Sequence, residues 1–281
     1  MTGVVTRFAP SPTGLLHLGH AYAAGFAAQQ AGKAGRFLLR IEDIDPTRCQ
    51  TEFITAIYED LQWLGLHWLE PVLRQSHNFP AYRSALAQLK ERGLLYPCFC
   101  TRKTIETEIA AAGHAPHGPE GTRYPRLCHG FSAAERQERI DAGLSHCWRL
   151  DMPKAIEQAG PLTWHDAELG HVKSNPADFG DIILARKETP AAYHLAVVVD
   201  DAAQGVTLVT RGRDLLRATD VHRLLQALLG LPYPQYHHHK LMTDSTGKRY
   251  AKRDQSATLR ALRQKGIAPV TIWQELALIV A

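Results

Sequence analysis

The sequence predicts an α/β protein built on a doubly wound parallel sheet, with an insertion in its middle and a short helical tail. Three observations lead there. Residues 3 to 9, "GVVTRFA", form a short β-branched run, and the Ala-rich stretch "LGHAYAAGFAAQQAG" beyond it suits a helix. "RFLLRIED" at 36 to 43 reads as a second buried strand, so the chain opens with a strand, helix, strand unit that calls for a parallel sheet. Apolar, partly β-branched runs return at "HCWRL", "DIILARK", "YHLAVVVDD" and "VTLVTRG", and "RDLLRATDVHRLLQALLG" supplies an amphipathic helix closed by Gly230. A sheet of this kind places its ligand crevice at the carboxyl ends of its strands.

Between these halves, Phe53, Ile54, Ile57, Leu61 and Leu64 keep helical spacing, as do Tyr82, Leu86 and Leu89. The stretch "AAGHAPHGPEGTRYPRLCHG" is too rich in Gly, Pro and His for a regular element, so it is either a disordered loop or one held by something other than a core. Ser132 with Glu135 three residues on is a capping-box pattern that opens a short helix. The final stretch "SATLRALRQKGIAPVTIWQELALIVA" has room for two helices. The predicted divisions are 1–95, first half of the sheet domain; 96–180, insertion; 181–235, second half; and 236–281, a basic loop with a short helical region.

The 281 residues suffice to bury a substantial core, and 45% hydrophobic with 21% charged residues is an ordinary globular composition. A net charge of +4 permits contact with nucleic acid without demanding it. No apolar run reaches a membrane-spanning length, and the N-terminus lacks the pattern of a signal peptide, so a cytoplasmic location is expected. Five cysteines do not make a secreted disulfide framework. Cys98, Cys100 and Cys128 cluster, while Cys49 and Cys147 stand apart and read as inert thiols.

Residues 7 to 20 are "RFAPSPTGLLHLGH". Pro10 and Pro12 fix the backbone after the strand, Gly14 allows a turn, and His17 and His20 lie three apart, on one face of a first helical turn. Two imidazoles at a helix N-terminus suit phosphate oxygens, because free backbone N–H groups attract the anion and the rings donate to developing charge. "RIEDID" at 40 to 45 sets carboxylates at a strand end, where the crevice should lie. "TGKRYAKRDQ" at 246 to 255 is a Gly-led basic loop able to grip phosphates. "CFC" at 98 to 100 with Cys128 suggests three thiolates for a tetrahedral zinc site, which would keep a Gly- and Pro-rich insertion ordered. By chemistry the fourth ligand would be a nearby His: His129, His117 or His114. The run His237, His238, His239 reads as a solvated strand or turn.

The 7–20 string resembles the HIGH signature of class I aminoacyl-tRNA synthetases, in the form seen in glutamyl-tRNA synthetases. "GKRYAKR" is similar to the KMSKS-type loop of the same enzymes, with Arg249, Tyr250 and Ala251 where Lys, an apolar residue and Ser are usual. The resemblance implies a Rossmann catalytic domain in which His17, His20 and Lys252 bind ATP and stabilise the transition state, with magnesium accompanying the nucleotide. It also implies that Glu42 holds the amino group of a substrate glutamate and that Arg7, Ser11, Tyr193 and Arg211 contact the rest of it. Arg suits that task because its planar fork pairs with a carboxylate through two bonds.

The resemblance runs from residue 4 to about 255, without the large C-terminal helical domain that reads anticodons in those enzymes. A body of this extent carrying C-x-C and then Y-x-x-x-C is similar to the glutamyl-queuosine tRNA(Asp) synthetase family. That likeness implies a structural zinc, one per chain, held by Cys98, Cys100, Cys128 and Tyr124, with His129 as the alternative fourth ligand. It further implies activation of L-glutamate with ATP and transfer to the queuosine of tRNA(Asp), by a monomeric enzyme without a membrane partner. Three rivals remain at this stage: a compact glutamyl-tRNA synthetase charging tRNA(Glu), a small-molecule nucleotidylyltransferase, and a non-enzymatic RNA-binding paralogue.

Overall fold

Strand β1 (Val5–Phe8) leads through helix α1 (Leu18–Ala31) to β2 (Arg36–Ile41), and α2 (Thr51–Trp63) leads on to β3 (Leu69–Arg74). The structure is a computed structural model and describes residues 3–111, 117–187, 189–241 and 258–278. α1 is helical because its Ala residues cost little side-chain entropy, and Leu18, Ala21, Ala24, Ala27 and Ala31 recur at helical spacing on its buried face. The strands β1, β2 and β3 run parallel in the order β1-β2-β3.

Next come α3 (Phe79–Glu91), β4 (Leu95–Cys98), α4 (Arg102–Ala111), the short pair β5 (His117–Gly118) and β6 (Gly121–Thr122), and α5 (Ala133–Asp141). Ser132 and Glu135 form the expected capping box, each side chain accepting the other residue's backbone N–H. They are followed by β7 (Cys147–Leu150), α6 (Met152–Ala159), β8 (Thr163–Asp166), β9 (Gly170–Lys173) and β10 (Ile183–Ala185). β10, β7 and β4 form a separate antiparallel sheet, in which Cys98 lies directly across from Cys147.

The second half holds α7 (Tyr193–Ala203), β11 (Leu208–Gly212), α8 (Ala218–Leu229), β12 (Gln235–His239), α9 (Leu259–Gln264) and α10 (Pro269–Glu275). β11, β12 and β8 are parallel, with β9 added antiparallel at the edge, so residues 163–173 build on this sheet rather than on the cysteine-bearing part of the chain. The backbone N–H of Thr207 donates to the Val5 carbonyl at 3.0 Å and ties the start of β11 to β1. β1 thus stands between β2 on one side and β11 on the other, the reversal of direction that defines the crevice of a doubly wound sheet.

The apolar run "YHLAVVVDD" is helix α7; nearly its whole circumference is buried, and a short apolar run does not by itself separate a buried helix from a strand. One expectation is corrected here. The His237–His239 run is not solvated: it forms β12, with His238 and His239 buried. α9 and α10 pack back on the first half: Leu259, Ile272 and Trp273 share one core with α1 and α2, and the Trp273 indole N–H donates to the Leu64 carbonyl at 3.0 Å. Gly25 of α1 makes room for that indole, since a Cβ there would lie 2.6 Å from a Trp273 ring carbon.

Candidate active site

Where the sheet reverses direction, between β1 and β11, a cavity of ≈ 430 Å³ opens. Arg7 of β1, Ser11 of the loop after it, Glu42 just past β2, Tyr193 at the start of α7 and Arg211 of β11 all line it. The five residues that the sequence assigns to a glutamate pocket therefore meet, although they come from distant parts of the chain. All but the exposed Ser11 are buried or half-buried.

The charges in this cavity are organised by a second layer of ionised groups. Arg7 donates from Nε to Asp201 Oδ1 at 3.0 Å and from Nη1 to the Thr210 carbonyl at 3.2 Å. Arg40, fully buried in β2, donates from Nη1 to the same Asp201 oxygen at 2.7 Å and from Nη2 to Glu42 Oε1 at 3.4 Å. Burial pushes the Asp201 carboxyl up, but the Arg7 and Arg40 charges outweigh it and hold it below the usual range. For Glu42 the balance falls the other way: burial raises its pKa despite Arg40 and Arg7. A cationic group entering beside Glu42 would therefore favour its ionised form.

Arg211 is 6% exposed and held on three sides. Its Nε donates to His238 Nε2 at 3.1 Å, its Nη1 to His222 Nδ1 at 3.1 Å, and its Nη2 to Thr219 Oγ1 at 2.6 Å. A guanidinium carries five N–H donors, so one hydrogen remains on each terminal nitrogen, the pair that fits a carboxylate through two parallel bonds. His238 in turn donates from Nδ1 to Asp166 Oδ2 at 2.7 Å. Burial and the Arg211 charge lower His238 to about 4, and the same two causes take His222 well below its usual value, so both rings are neutral acceptors toward Arg211.

His17 caps α1. Its Nδ1 accepts the Gly19 backbone N–H at 3.1 Å, and the His17 backbone N–H donates to His20 Nδ1 at 3.1 Å. Because a backbone N–H can only donate, both neutral rings carry their proton on Nε2. The ring centroids are 3.8 Å apart at 42°. Thr258 pairs with His17 through a β-bridge, and the Leu259 N–H donates to the Leu16 carbonyl at 2.8 Å, so the chain returns to the start of α1 there. Lys252, Arg249, Tyr250 and Ala251 lie outside the described residues.

The sulfur atoms of Cys98, Cys100 and Cys128 lie within 4.8 Å of one another. Tyr124 Oη is 3.3 Å from Cys98 Sγ and 3.4 Å from Cys100 Sγ, and Cys100 Sγ is 3.4 Å from Cys128 Sγ. Ligand bonds of about 2.3 Å in a tetrahedron separate sulfurs by roughly 3.8 Å, so these four atoms suit a zinc ion. His129 is turned elsewhere, its Nε2 3.0 Å from Asp151 Oδ2. The backbone of His117 belongs to β5, and His114 lies outside the described residues. Cys98 is pushed down by hydrogen bonds from Cys147, Tyr124 and Arg149 that outweigh its burial, which favours the thiolate a metal needs. Cys147, read from the sequence as inert, thus touches the cluster.

Sequence reasoning passed over Arg40, Asp201, His222 and His194. Arg40 left a signal, a charge inside the otherwise apolar strand "RFLLRI", and so did the Asp pair that ends "YHLAVVVDD". His222 left none, since one His on an amphipathic helix is unremarkable.

The family of class I tRNA synthetases (E and Q), catalytic domain, matches residues 3–280. The glutamyl-Q tRNA(Asp) synthetase of Rhodobacter capsulatus is 47% identical over 276 residues, covering 96% of this chain and 98% of its own length. That of Nitratidesulfovibrio vulgaris is 41% identical and covers 97% of this chain and 85% of itself, while the glutamate–tRNA ligase of Aquifex aeolicus is 36% identical, with 58% of its length matched. Among solved structures, a glutamate tRNA ligase from Elizabethkingia meningosepticum in complex with its amino acid superposes with a TM-score of 0.75 at 26% identity. That match covers 90% of this chain and 53% of the ligase, so the chain spans about half the length of that solved relative. By the family matched, and by identity of 47% and 41% to two glutamyl-Q tRNA(Asp) synthetases covered over 98% and 85% of their length, this chain belongs to the class I (E and Q) tRNA synthetases and, within them, to the glutamyl-Q tRNA(Asp) synthetases.

Proposed function

We propose that this protein activates L-glutamate with ATP and transfers the glutamyl group to queuosine in the anticodon loop of tRNA(Asp). The observation that carries the reading is the cavity between β1 and β11, where two guanidinium groups and one half-buried carboxylate converge. A zwitterionic dicarboxylate matches that set: Arg211 offers a two-hydrogen fork and Arg7 a second cation, while Glu42 takes the ammonium and Ser11 and Tyr193 supply polar walls. Burial raises Tyr193, so it acts as a neutral phenol.

In the first step the substrate α-carboxylate attacks the α-phosphorus of ATP in line, and pyrophosphate leaves. His17 and His20 direct Nε2 donors toward charge that develops on the phosphate, and Lys252 stabilises the departing pyrophosphate. Magnesium accompanying ATP would neutralise part of the phosphate charge. In the second step a hydroxyl of the queuosine cyclopentenediol attacks the activated carbonyl, forms the ester and releases AMP; proximity supplies most of that rate. The zinc site, with Cys98, Cys100, Cys128 and Tyr124 as ligands, is closed and structural, and would fix the insertion against the antiparallel sheet.

Glutamate-dependent exchange of labelled pyrophosphate into ATP tests the first step. Exchange with L-glutamate, and none with L-glutamine or L-aspartate, is expected; no exchange with glutamate would overturn the proposal.

A further inference from the structure

Arg211 is connected to the surface by an ordered chain of side chains that the proposed reaction does not use. His222 of α8 accepts from Arg211 Nη1 through Nδ1, and its Nε2 lies 3.1 Å from His194 Nδ1. His194 Nε2 lies 3.1 Å from Glu120 Oε1 and 3.2 Å from Oε2. The two ends fix every proton. A guanidinium only donates and a carboxylate only accepts, so His222 and His194 must both be Nε2–H tautomers, each accepting through Nδ1 and donating onward. Any other placement leaves two lone pairs or two hydrogens facing each other in a buried site. Both imidazoles are buried, whereas the Glu120 side chain is 52% exposed.

Glu120 does not belong to the sheet that carries Arg211. It sits in the turn between β5 and β6, on the segment leading to Tyr124 and Cys128. That turn presses on the segment around Asp178, whose neighbour Phe179 shares a core with α8: a Cβ on Gly118 would lie 2.5 Å from the Asp178 carbonyl oxygen, and Arg123 Nη2 donates to Asp178 Oδ1 at 3.1 Å. The chain therefore runs from the docked face of the insertion to the guanidinium in the substrate cavity.

We propose that Glu120, His194 and His222 are positioning residues for Arg211, so that docking of the insertion aims the fork toward a substrate carboxylate. The proposal rests on the reading of the cavity as a glutamate site. Glu120 acts as the terminal acceptor: with it in place His194 and His222 hold one tautomer, and Arg211 keeps its Nη1 bond. Without it His194 can turn over, its Nδ1 then facing His222 Nε2–H as a second donor, and the clamp on Arg211 loses one side. Thr219 and His238 remain, so the expected effect is a misaimed guanidinium rather than a lost one.

Glu120→Ala is expected to raise the KM for glutamate about tenfold in pyrophosphate exchange, with kcat and the KM for ATP within about threefold of wild type. Glu120→Gln keeps an acceptor oxygen for His194 and should bring the KM back to within about threefold of wild type. His194→Phe ends the chain from outside the insertion and should reproduce the Ala effect. Long-range nitrogen–proton NMR correlation of histidine-labelled protein should show both His194 and His222 protonated at Nε2 alone. A glutamate KM unchanged by Glu120→Ala, equal rises in the Ala and Gln variants, a rise that His194→Phe does not reproduce, or Nδ1–H tautomers would each overturn the proposal. Failure of the glutamate reading looks different: the wild type would show no glutamate-dependent exchange while the NMR tautomers remained as stated.

Discussion

Around Arg211 each buried charge meets an opposite charge or a neutral acceptor supplied by the protein, whereas around Cys98 three thiols and a phenol crowd together with Arg149 beside them. Asp201 answers both Arg7 and Arg40, and Asp166 answers His238. At the cysteine cluster, sulfur faces sulfur and phenol, and the surrounding buried set is small: Tyr96, Cys98, Tyr124 and Cys128. On the proposed reading, the contrast separates a site preformed by folding from one that a metal ion would complete. The sheet reversal brings oppositely charged side chains together from β1, β2, α7 and β11, so the cavity is assembled when the core forms. The buried cluster around the cysteines is small, and a metal ion that drew its thiolates together would supply much of the insertion's order.

Perturbing each region separately should break that contrast if it is wrong. The largest effect is expected from Arg211→Ala, which removes the carboxylate fork and leaves His222, His238 and Thr219 without their shared donor. Glutamate-dependent exchange should fall by about 10³-fold in kcat/KM, while zinc content measured by atomic absorption stays at the wild-type value. Lys252→Ala should come next, with kcat reduced by a factor on the order of 10² and little change in the KM for glutamate, as expected of a contact made only in the transition state. Near-normal exchange would remove Lys252 from the mechanism.

Cys98→Ser addresses the other region. Zinc should be lost, and amide-exchange protection in β4, β7 and the intervening segment should drop, by about 2 to 4 kcal/mol locally, while β1, β2 and β11 keep theirs. The KM for glutamate should rise no further than in Glu120→Ala. Purified wild-type protein without zinc would end the structural-zinc account.

The smallest effect concerns a buried carboxylate in the first half of the molecule. Asp60 of α2 is fully buried, neither carboxylate oxygen has a hydrogen-bond partner among the described residues, and Arg263 stands 3.5 Å away. Burial raises its carboxyl to about 6, against the pull of Arg263 and Arg260. The folded chain then holds this proton more tightly than the unfolded chain does, so stability is lost as pH rises from about 4 through 6. Asp60→Asn should stabilise the protein by about 1 to 2 kcal/mol near pH 7 in urea denaturation, the gain being offset in part by the lost attraction to Arg263, and the gain should vanish near pH 4. A variant less stable at neutral pH would show that the Arg263 pair dominates.

Much of this architecture was legible in the sequence because it depends on local pattern. The β1-α1-β2 unit follows from a β-branched run, an Ala-rich run and a second apolar run, and α8 ends at Gly230, whose φ of 64° suits glycine. α7 was missed because its circumference is buried, which erases the helical stripe. The strand β3 was missed because "LEPVLR" has no buried residue and is interrupted by Pro71. The residues lining the cavity were legible through motif spacing and family resemblance, not through composition. The layer behind them was not: Asp201 reaches Arg7 across 194 positions of sequence, and the chain from Glu120 to Arg211 exists only once the β5–β6 turn, α7, α8 and β11 have packed. The cysteine cluster was visible from spacing, while the place of Cys147 depends on the register of β4 against β7.

The central claim, glutamate activation followed by transfer to a modified nucleoside, is tested most directly with labelled glutamate, ATP and two tRNA pools, one containing queuosine and one from cells unable to make it. Label retained only by the queuosine pool, and surviving removal of the tRNA 3′ end, is the predicted result. Label on both pools that disappears with the 3′ end would contradict the account and make this protein a glutamyl-tRNA synthetase of the ordinary acceptor-end kind.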